Sequence, residues 1–312
     1  MRIGIIGGGG ISATHVRAAR GIDGVAVVAV YGYNREKTAA LAAEADAVAY
    51  DDFERFLAHP MDMVAIGSPS GLHAEQAVAA VRRGLHALVE KPLDVIPAAI
   101  DTLIAEADRA GRTVGVIFQE RLLPEVVALK ARLDAGEFGT PLFISGQMHW
   151  YRPPAYYTSS RWRGTRSLDG GGVLINQGIH TLDLMLHLFG GVRRVSGCLA
   201  TRLHAIEVED TAAALLEFDS GALGVFEGTT AAAPGFPRRL EIAGSAGRAV
   251  YEDPPRPATV ADPLPHRRVF EDFIEAVRDG RPPMCDARDG RRSVALIDAI
   301  CRSQTSGGFE TP

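Results

Sequence analysis

A chain of 312 residues, 46% of them hydrophobic and 23% charged, is long enough for two domains with a sizeable core. A net charge of −5 with no Lys/Arg run argues against nucleic-acid and membrane-surface partners, and no apolar run reaches the ~18 residues of a membrane span. Met1-Arg2 leads into an apolar run with no separate charged leader or cleavage site, and Cys198, Cys285 and Cys301 lack metal-ligand spacing, so reduced thiols in the cytoplasm are the simplest account.

Residues 3–6 are an apolar run that ends in Gly7-Gly8-Gly9-Gly10-Ile11-Ser12, and residues 16–20 follow with helical character. In that setting the glycines read as a dinucleotide fingerprint. Gly7 permits a tight turn, Gly9 lets the backbone approach a pyrophosphate at the helix N-terminus, Gly10 and Ile11 complete the loop, and Ser12 is the third small residue. Alone the motif is weak, since plain turns share it. Residues 25–30 then read as a buried parallel strand. Where NAD enzymes place an acid for the ribose, this chain has Tyr31-Gly32-Tyr33-Asn34-Arg35. Tyr33, Asn34 and Arg35 are therefore candidate cofactor contacts, and Arg35 favours NADP over NAD; an arginine on a solvated loop is the plain alternative.

Residues 63–67 form the next strand and turn through Ser68, Pro69 and His73 into a helix over 74–83. Residues 85–89 end in Glu90-Lys91-Pro92, and residues 113–118 close the half just before Gln119. Strand and helix alternate with short turns, which predicts a doubly wound parallel sheet with the loops converging at the carboxyl ends of its strands. The boundary falls near Arg121, giving a nucleotide-binding Rossmann domain over 1–121 and a substrate-binding and oligomerisation domain over 122–312. Lys91, at a strand end, is the candidate to bond a substrate oxygen; a surface lysine is the bland alternative.

After a helix over 124–135, residues 143–150, 192–200, 211–218, 222–230 and 239–243 are strand-like, with a hairpin turn at Asp219-Ser220-Gly221. This predicts an α+β domain on a mostly antiparallel open sheet. Between its first two strands lie Tyr151, Arg152, Tyr156, Tyr157, Arg161, Trp162, Arg163 and Arg166, suited to pyrophosphate and sugar-ring contacts. Then comes Gly170-Gly171-Gly172, whose glycines leave backbone open to close approach. The helix that follows places Asn176, His180 and Asp183 on one face at i, i+4 and i+7. A histidine satisfied within the core is the alternative. His180, Asp183 and His187 also have zinc-compatible spacing, but the apolar residues around them make a packing helix, so no metal is expected and His187 reads as core. Residues 252–257 read as a rigid loop, and helices are expected over 266–278 and 287–303.

The segments Gly4-Ile5-Ile6-Gly7-Gly8-Gly9-Gly10-Ile11-Ser12, Ser68-Pro69 with His73, Glu90-Lys91-Pro92, Gly115 to Arg121, Trp162-Arg163-Gly164 and the Gly170 to Asp183 stretch resemble the Gfo/Idh/MocA oxidoreductases over nearly the whole chain. The resemblance implies an NAD(P)-dependent enzyme that transfers hydride to or from a secondary hydroxyl or ketone of a cyclic sugar, sugar derivative or polyol. It places Lys91 and His180 at that hydroxyl. Ser68, Pro69, His73, Glu90, Lys91, Gln119, Trp162 and Arg163 join the cofactor set, while Tyr151, Arg152, Asn176 and Gln177 join the substrate set. Many members carry aspartate where this chain has Asn176, and an amide cannot act as a base. Asn176-Gln177 with the upstream Trp-Arg-Gly is similar to the subgroup of UDP-N-acetylglucosamine 3-oxidases. A homodimer or homotetramer through the open sheet is implied as well. An NAD-dependent glycosidase using transient oxidation, and a non-catalytic NAD(P)-binding regulator, are the alternatives.

Overall fold

The computed structural model describes residues 1–159, 163–166, 169–253 and 262–312. They fall into two compact units, one of Met1–Gln119 with Ala258–Arg291 and the other of Glu120–Pro257 with Arg292–Pro312. The chain therefore departs from two contiguous domains over 1–121 and 122–312: the first crossing comes after Gln119, and a late segment returns to the first unit. Packing is the reason. The helix Leu264–Asp279 buries Val269, Phe270, Phe273 and Ile274, and Phe273 sits where a Cβ on Gly115 would be, 2.8 Å from its ring.

The first unit runs β1 (Arg2–Ile6), α1 (Gly10–Arg20), β2 (Ala26–Tyr31), α2 (Arg35–Ala45), β3 (Val48–Tyr50), α3 (Phe53–Leu57), β4 (Met63–Ile66), α4 (His73–Arg82), β5 (His86–Val89), α5 (Pro97–Ala110) and β6 (Val114–Val116). Its six strands are all parallel in the order β3-β2-β1-β4-β5-β6. β1 and β4 are buried nearly throughout, as continuous apolar strands covered on both faces should be. The order reverses between β1 and β4, and at such a switch point the loops at the carboxyl ends of neighbouring strands diverge and leave a crevice.

The second unit contributes α6 (Pro124–Asp134), β7 (Pro141–His149), α7 (Pro154–Thr158), α8 (Ile179–Phe189), β8 (Val192–Ala200), β9 (Thr211–Phe218), β10 (Leu223–Thr229), β11 (Arg239–Gly244) and β12 (Arg248–Glu252). Two helices close the chain, α9 (Leu264–Asp279) and α10 (Ala287–Ser306). The order is β12-β11-β7-β10-β9-β8, antiparallel except for β7 beside β10. α8 is buried almost all round and packs on β7, where Gly146 has no side chain to obstruct Met185 and Thr181. β9 and β10 alternate buried and exposed residues, and the expected hairpin between them closes on Gly221 at φ +85°. β3 and β12 are strands that the sequence reading did not anticipate. No helix among the described residues is long and apolar enough to cross a membrane.

Candidate active site

In the first unit the sequence-predicted residues gather at one edge of the sheet, because the ladder continues past each strand into its loop. Gly7 N–H donates to Tyr31 O, Gly67 N–H to Ile6 O, Glu90 N–H to Ile66 O and Ile117 N–H to Val89 O, all at 2.8–2.9 Å. Gly7 has φ +123°, and a Cβ there would lie 2.7 Å from Gly67 O, so the turn requires glycine. Cβ atoms built at Gly9 and Gly10 meet nothing within 4 Å. With no acidic residue in the first turn of α1, that opening suits the pyrophosphate of a dinucleotide. Just beyond β6, the buried Gln119 Oε1 has no hydrogen-bond partner among the described residues, which also fits a ligand at this edge.

Other predicted contacts turn out to hold the scaffold. Ser12 is fully buried and its hydroxyl donates to Gly67 O at 3.4 Å. Asn34 caps α2 by accepting the Lys37 N–H at 3.0 Å, while Ser68 donates to Gln76 at 2.6 Å. His73 lies between the loops after β4 and β5, with Nδ1 2.7 Å from Pro92 O and Nε2 2.9 Å from Ser68 O. Pro69 precedes the single turn Ser70–Leu72. Ile11 is half-buried at the start of α1, Tyr33 is 74% exposed, and the exposed Arg35 pairs with Asp51 at 2.7 Å.

Lys91 is half-buried after β5, and its backbone N–H donates to Glu90 Oε2 at 3.1 Å. Glu90 is itself buried. Its Oε1 lies 3.0 Å from His15 Nε2 and 3.4 Å from His266 Nε2. Burial raises the Glu90 pKa, but the hydrogen bonds from the two imidazoles outweigh it and hold the carboxyl well below its usual range. Burial lowers His15, so a neutral imidazole donates to an ionised carboxylate. Among the described residues the buried Nδ1 atoms of His15 and His266 have no hydrogen-bond partner. These three residues form the one group among the described residues that could hold a metal, their ligand atoms lying within 4.8 Å of one another. A ligated imidazole normally donates its second nitrogen to an outer partner, and neither does here, so the arrangement reads as a hydrogen-bonded anchor for the Lys91 turn. Sequence reasoning missed His15 and His266; the signal available was a histidine on the buried face of each helix.

In the second unit the Gly170–Asp183 stretch differs from the expected single helix. Leu174–Gly178 is a π-helical turn and α8 starts only at Ile179. Such turns offset the face on either side of them and are frequent at functional sites. Asn176 in that turn donates to Asp169 Oδ1 at 2.8 Å, while Asp169 Oδ2 accepts the Gly164 N–H at 2.7 Å. His180 is 8% exposed at the second position of α8. Asp183, three residues after His180 on α8, is buried, takes two guanidinium hydrogen bonds from Arg121 at 2.8 and 2.6 Å, and accepts the Ser293 hydroxyl at 3.1 Å. His187 is half-buried. At Gly172 the close approach comes from the chain itself, since a Cβ there would fall inside the carbonyl of Glu209. The Glu209 carboxylate also accepts the N–H groups of Gly172 and Leu174, each at 3.0 Å.

Gln177 is buried and donates to the Tyr156 hydroxyl at 3.3 Å. Arg163 donates to Ser159 Oγ at 2.9 Å and lies over the Tyr156 ring, as does Arg152. Tyr151 bridges to Ala231 at the end of β7. Trp162 and Arg161 lie outside the described residues. Asp169 and Glu209 were not anticipated; only their contacts mark them.

Residues 1–118 match the model described as the oxidoreductase family, NAD-binding Rossmann fold, and residues 126–250 match the GFO/IDH/MocA C-terminal domain. Over 97% of this chain and 96% of the relative, the sequence is 27% identical to myo-inositol 2-dehydrogenase of Thermotoga maritima. It is 28% identical to D-apiose dehydrogenase of Paraburkholderia graminis over 97% of the chain and 87% of that protein. The crystal structure of the WlbA dehydrogenase from Bordetella pertussis in complex with NADH and UDP-GlcNAcA is similar at a TM-score of 0.92 and 30% identity, covering 100% of this chain and 98% of that one. Strand order, glycine turn and both halves of the sequence agree: the chain belongs to the Gfo/Idh/MocA family of oxidoreductases, whose nucleotide domain is an NAD-binding Rossmann fold.

Proposed function

We propose that this protein is an NAD(P)-dependent dehydrogenase acting on a secondary hydroxyl, or the matching ketone, of a cyclic sugar, sugar derivative or polyol. The observation that carries the reading is the edge of the first sheet, where an open glycine turn, the half-buried Lys91 and Gln119 Oε1, unpartnered among the described residues, follow β1, β5 and β6. When bound, the nicotinamide supplies the hydride acceptor or donor. Lys91 offers ammonium donors to the substrate oxygen and stabilises negative charge developing there. His180 takes or returns the hydroxyl proton, and Asn176, held by Asp169, orients the substrate without acting as a base. Arg35 and the absence of an acid directly after β2 support NADP as the preferred cofactor, although the relative above was crystallised with NADH.

The apolar outward side chains of Phe143, Leu215 and Leu223, 38–55% exposed on neighbouring strands of the second sheet, support a homodimer or homotetramer through that face. None of the three cysteines forms a disulfide, in keeping with a cytoplasmic location. A panel of sugars and polyols, each with NAD and NADP, tests the reading. Lys91→Ala and His180→Ala should each lower kcat by about a hundredfold or more while leaving the cofactor Kd near wild type. Turnover close to wild type in either variant, or bond cleavage without net cofactor reduction, would overturn it.

A further inference from the structure

Arg152 follows β7 on a loop that is tightly held. Its N–H donates to Thr230 O at 2.8 Å, and its carbonyl lies 2.8 Å from His204 Nε2. Asp210 fixes the His204 segment in turn by accepting the N–H groups of Arg202, Leu203 and His204 at 2.8–3.0 Å. The guanidinium carbon of Arg152 stands 5.6 Å from the Trp150 ring centre and 5.0 Å from that of Tyr156, and the carbon of Arg163 stands 4.4 Å from the same Tyr156 ring. Two cations are thus kept less than a nanometre apart around one phenol ring, and aromatic faces attract cations without neutralising them. Among the described residues no carboxylate pairs with Arg152, and its Nε is buried with no hydrogen-bond partner. A buried guanidinium N–H left unpaired is costly unless a group from outside the chain completes it. The cluster also connects to the turn that leads to His180, because Tyr156 accepts the hydrogen bond from Gln177.

We propose that Arg152, with Arg163 and Tyr156, forms a subsite for an anionic substituent of the substrate, a carboxylate or a phosphoryl group. This rests on the dehydrogenase reading above and narrows its substrate class from sugars in general to charged ones. A planar guanidinium fork matches two oxygens of either anion, and a neutral polyol offers no charge to set against that of Arg152.

The test titrates the full-length, NADH-saturated protein calorimetrically with UDP for the phosphoryl arm, D-glucuronate for the carboxylate arm and myo-inositol as the neutral control. At least one anion should bind more tightly than myo-inositol, and Arg152→Gln should weaken it by about tenfold or more with NADH affinity unchanged. Binding of UDP alone assigns a phosphorylated or nucleotide-linked substrate, and binding of D-glucuronate alone assigns a sugar acid. Arg152→Lys, which keeps the charge and loses the fork, should fall between wild type and Arg152→Gln and serves if the latter does not fold. Failure of both anions to bind, or equal binding by wild type and the Arg152 variants, overturns the subsite. The dehydrogenase reading fails separately: no substrate of the panel would reduce either cofactor while anion binding still depended on Arg152.

Discussion

Each unit buries a carboxylate against nitrogen donors, but the two differ in where the charge goes. Glu90 in the first unit is held by the imidazoles of His15 and His266 and by a backbone N–H. Asp183 in the second faces the guanidinium of Arg121, and the fully buried Arg238 lies between Glu120 and Asp253. Burial works against the Arg238 charge, yet the attraction of those two carboxylates prevails and raises its pKa further, so it stays protonated at any ordinary pH. Imidazoles can exchange protons in the physiological range and guanidiniums cannot. The anchor of the Lys91 turn therefore includes an imidazole, whereas the cation paired with Asp183 on α8 is a guanidinium that keeps its charge at any ordinary pH. The glycines divide in a similar way: Gly9 and Gly10 face open space, whereas Gly172 is pressed against the backbone of Glu209.

The most damaging way to break this contrast is Asp183→Asn, which removes the carboxylate charge that faces the buried Arg121 guanidinium. It should cost about 3–5 kcal/mol in urea unfolding, because removal of one member of a buried pair leaves the other uncompensated. A loss below 1 kcal/mol, on the order of an exposed pair, would show that the pair is open to water. Next comes Gly172→Ala, expected to lose about 1–3 kcal/mol or more through overpacking. Gly9→Ala should stay within about 0.5 kcal/mol of wild type while weakening dinucleotide affinity. Equal stabilities for the two alanine variants would contradict the division.

A third test sharpens the pH contrast. His15 is neutral in the folded chain, so the unfolded chain takes up its proton first as pH falls through about 6.5, the ordinary imidazole value. Glu90 is held low, so its contribution is present above the ordinary carboxyl range and is lost as pH falls toward its folded value. Both slopes have the same sign: stability is full above neutrality and declines with acid. Glu90→Gln should cost about 1–3 kcal/mol at neutral pH and flatten the acidic limb of the curve. The smallest effect belongs to the exposed Arg35–Asp51 pair. Arg35→Ser should leave stability unchanged while lowering NADP affinity about tenfold relative to NAD, which parallel fluorescence titrations would read.

Much of this was legible along the chain. Residues 192–200 and 211–218 are strands over the expected spans, and in the second the alternation of buried and exposed side chains is a local property. Gly7 was recognisable for the same reason, as only glycine readily takes its positive φ. The π turn at Leu174–Gly178 was hidden, since apolar spacing over five residues does not separate its period from that of an α-helix. Helical spacing put Asp183 on the face of His180 but could not reveal its partners, since Arg121 lies 62 residues before it and Ser293 110 residues after it.

By itself, then, the sequence determined most of the strands and helices, the glycine turn, the family and the residue types available for proton transfer, all of which depend on neighbours within a few positions. Only tertiary structure decided that α9 returns to the first sheet, that His15 and His266 share Glu90, and that Gly172 is pressed against the backbone of Glu209. The physical reason is that burial and pairing are settled by whichever groups the completed fold brings within hydrogen-bond distance, and those groups lie tens to hundreds of residues apart in the chain.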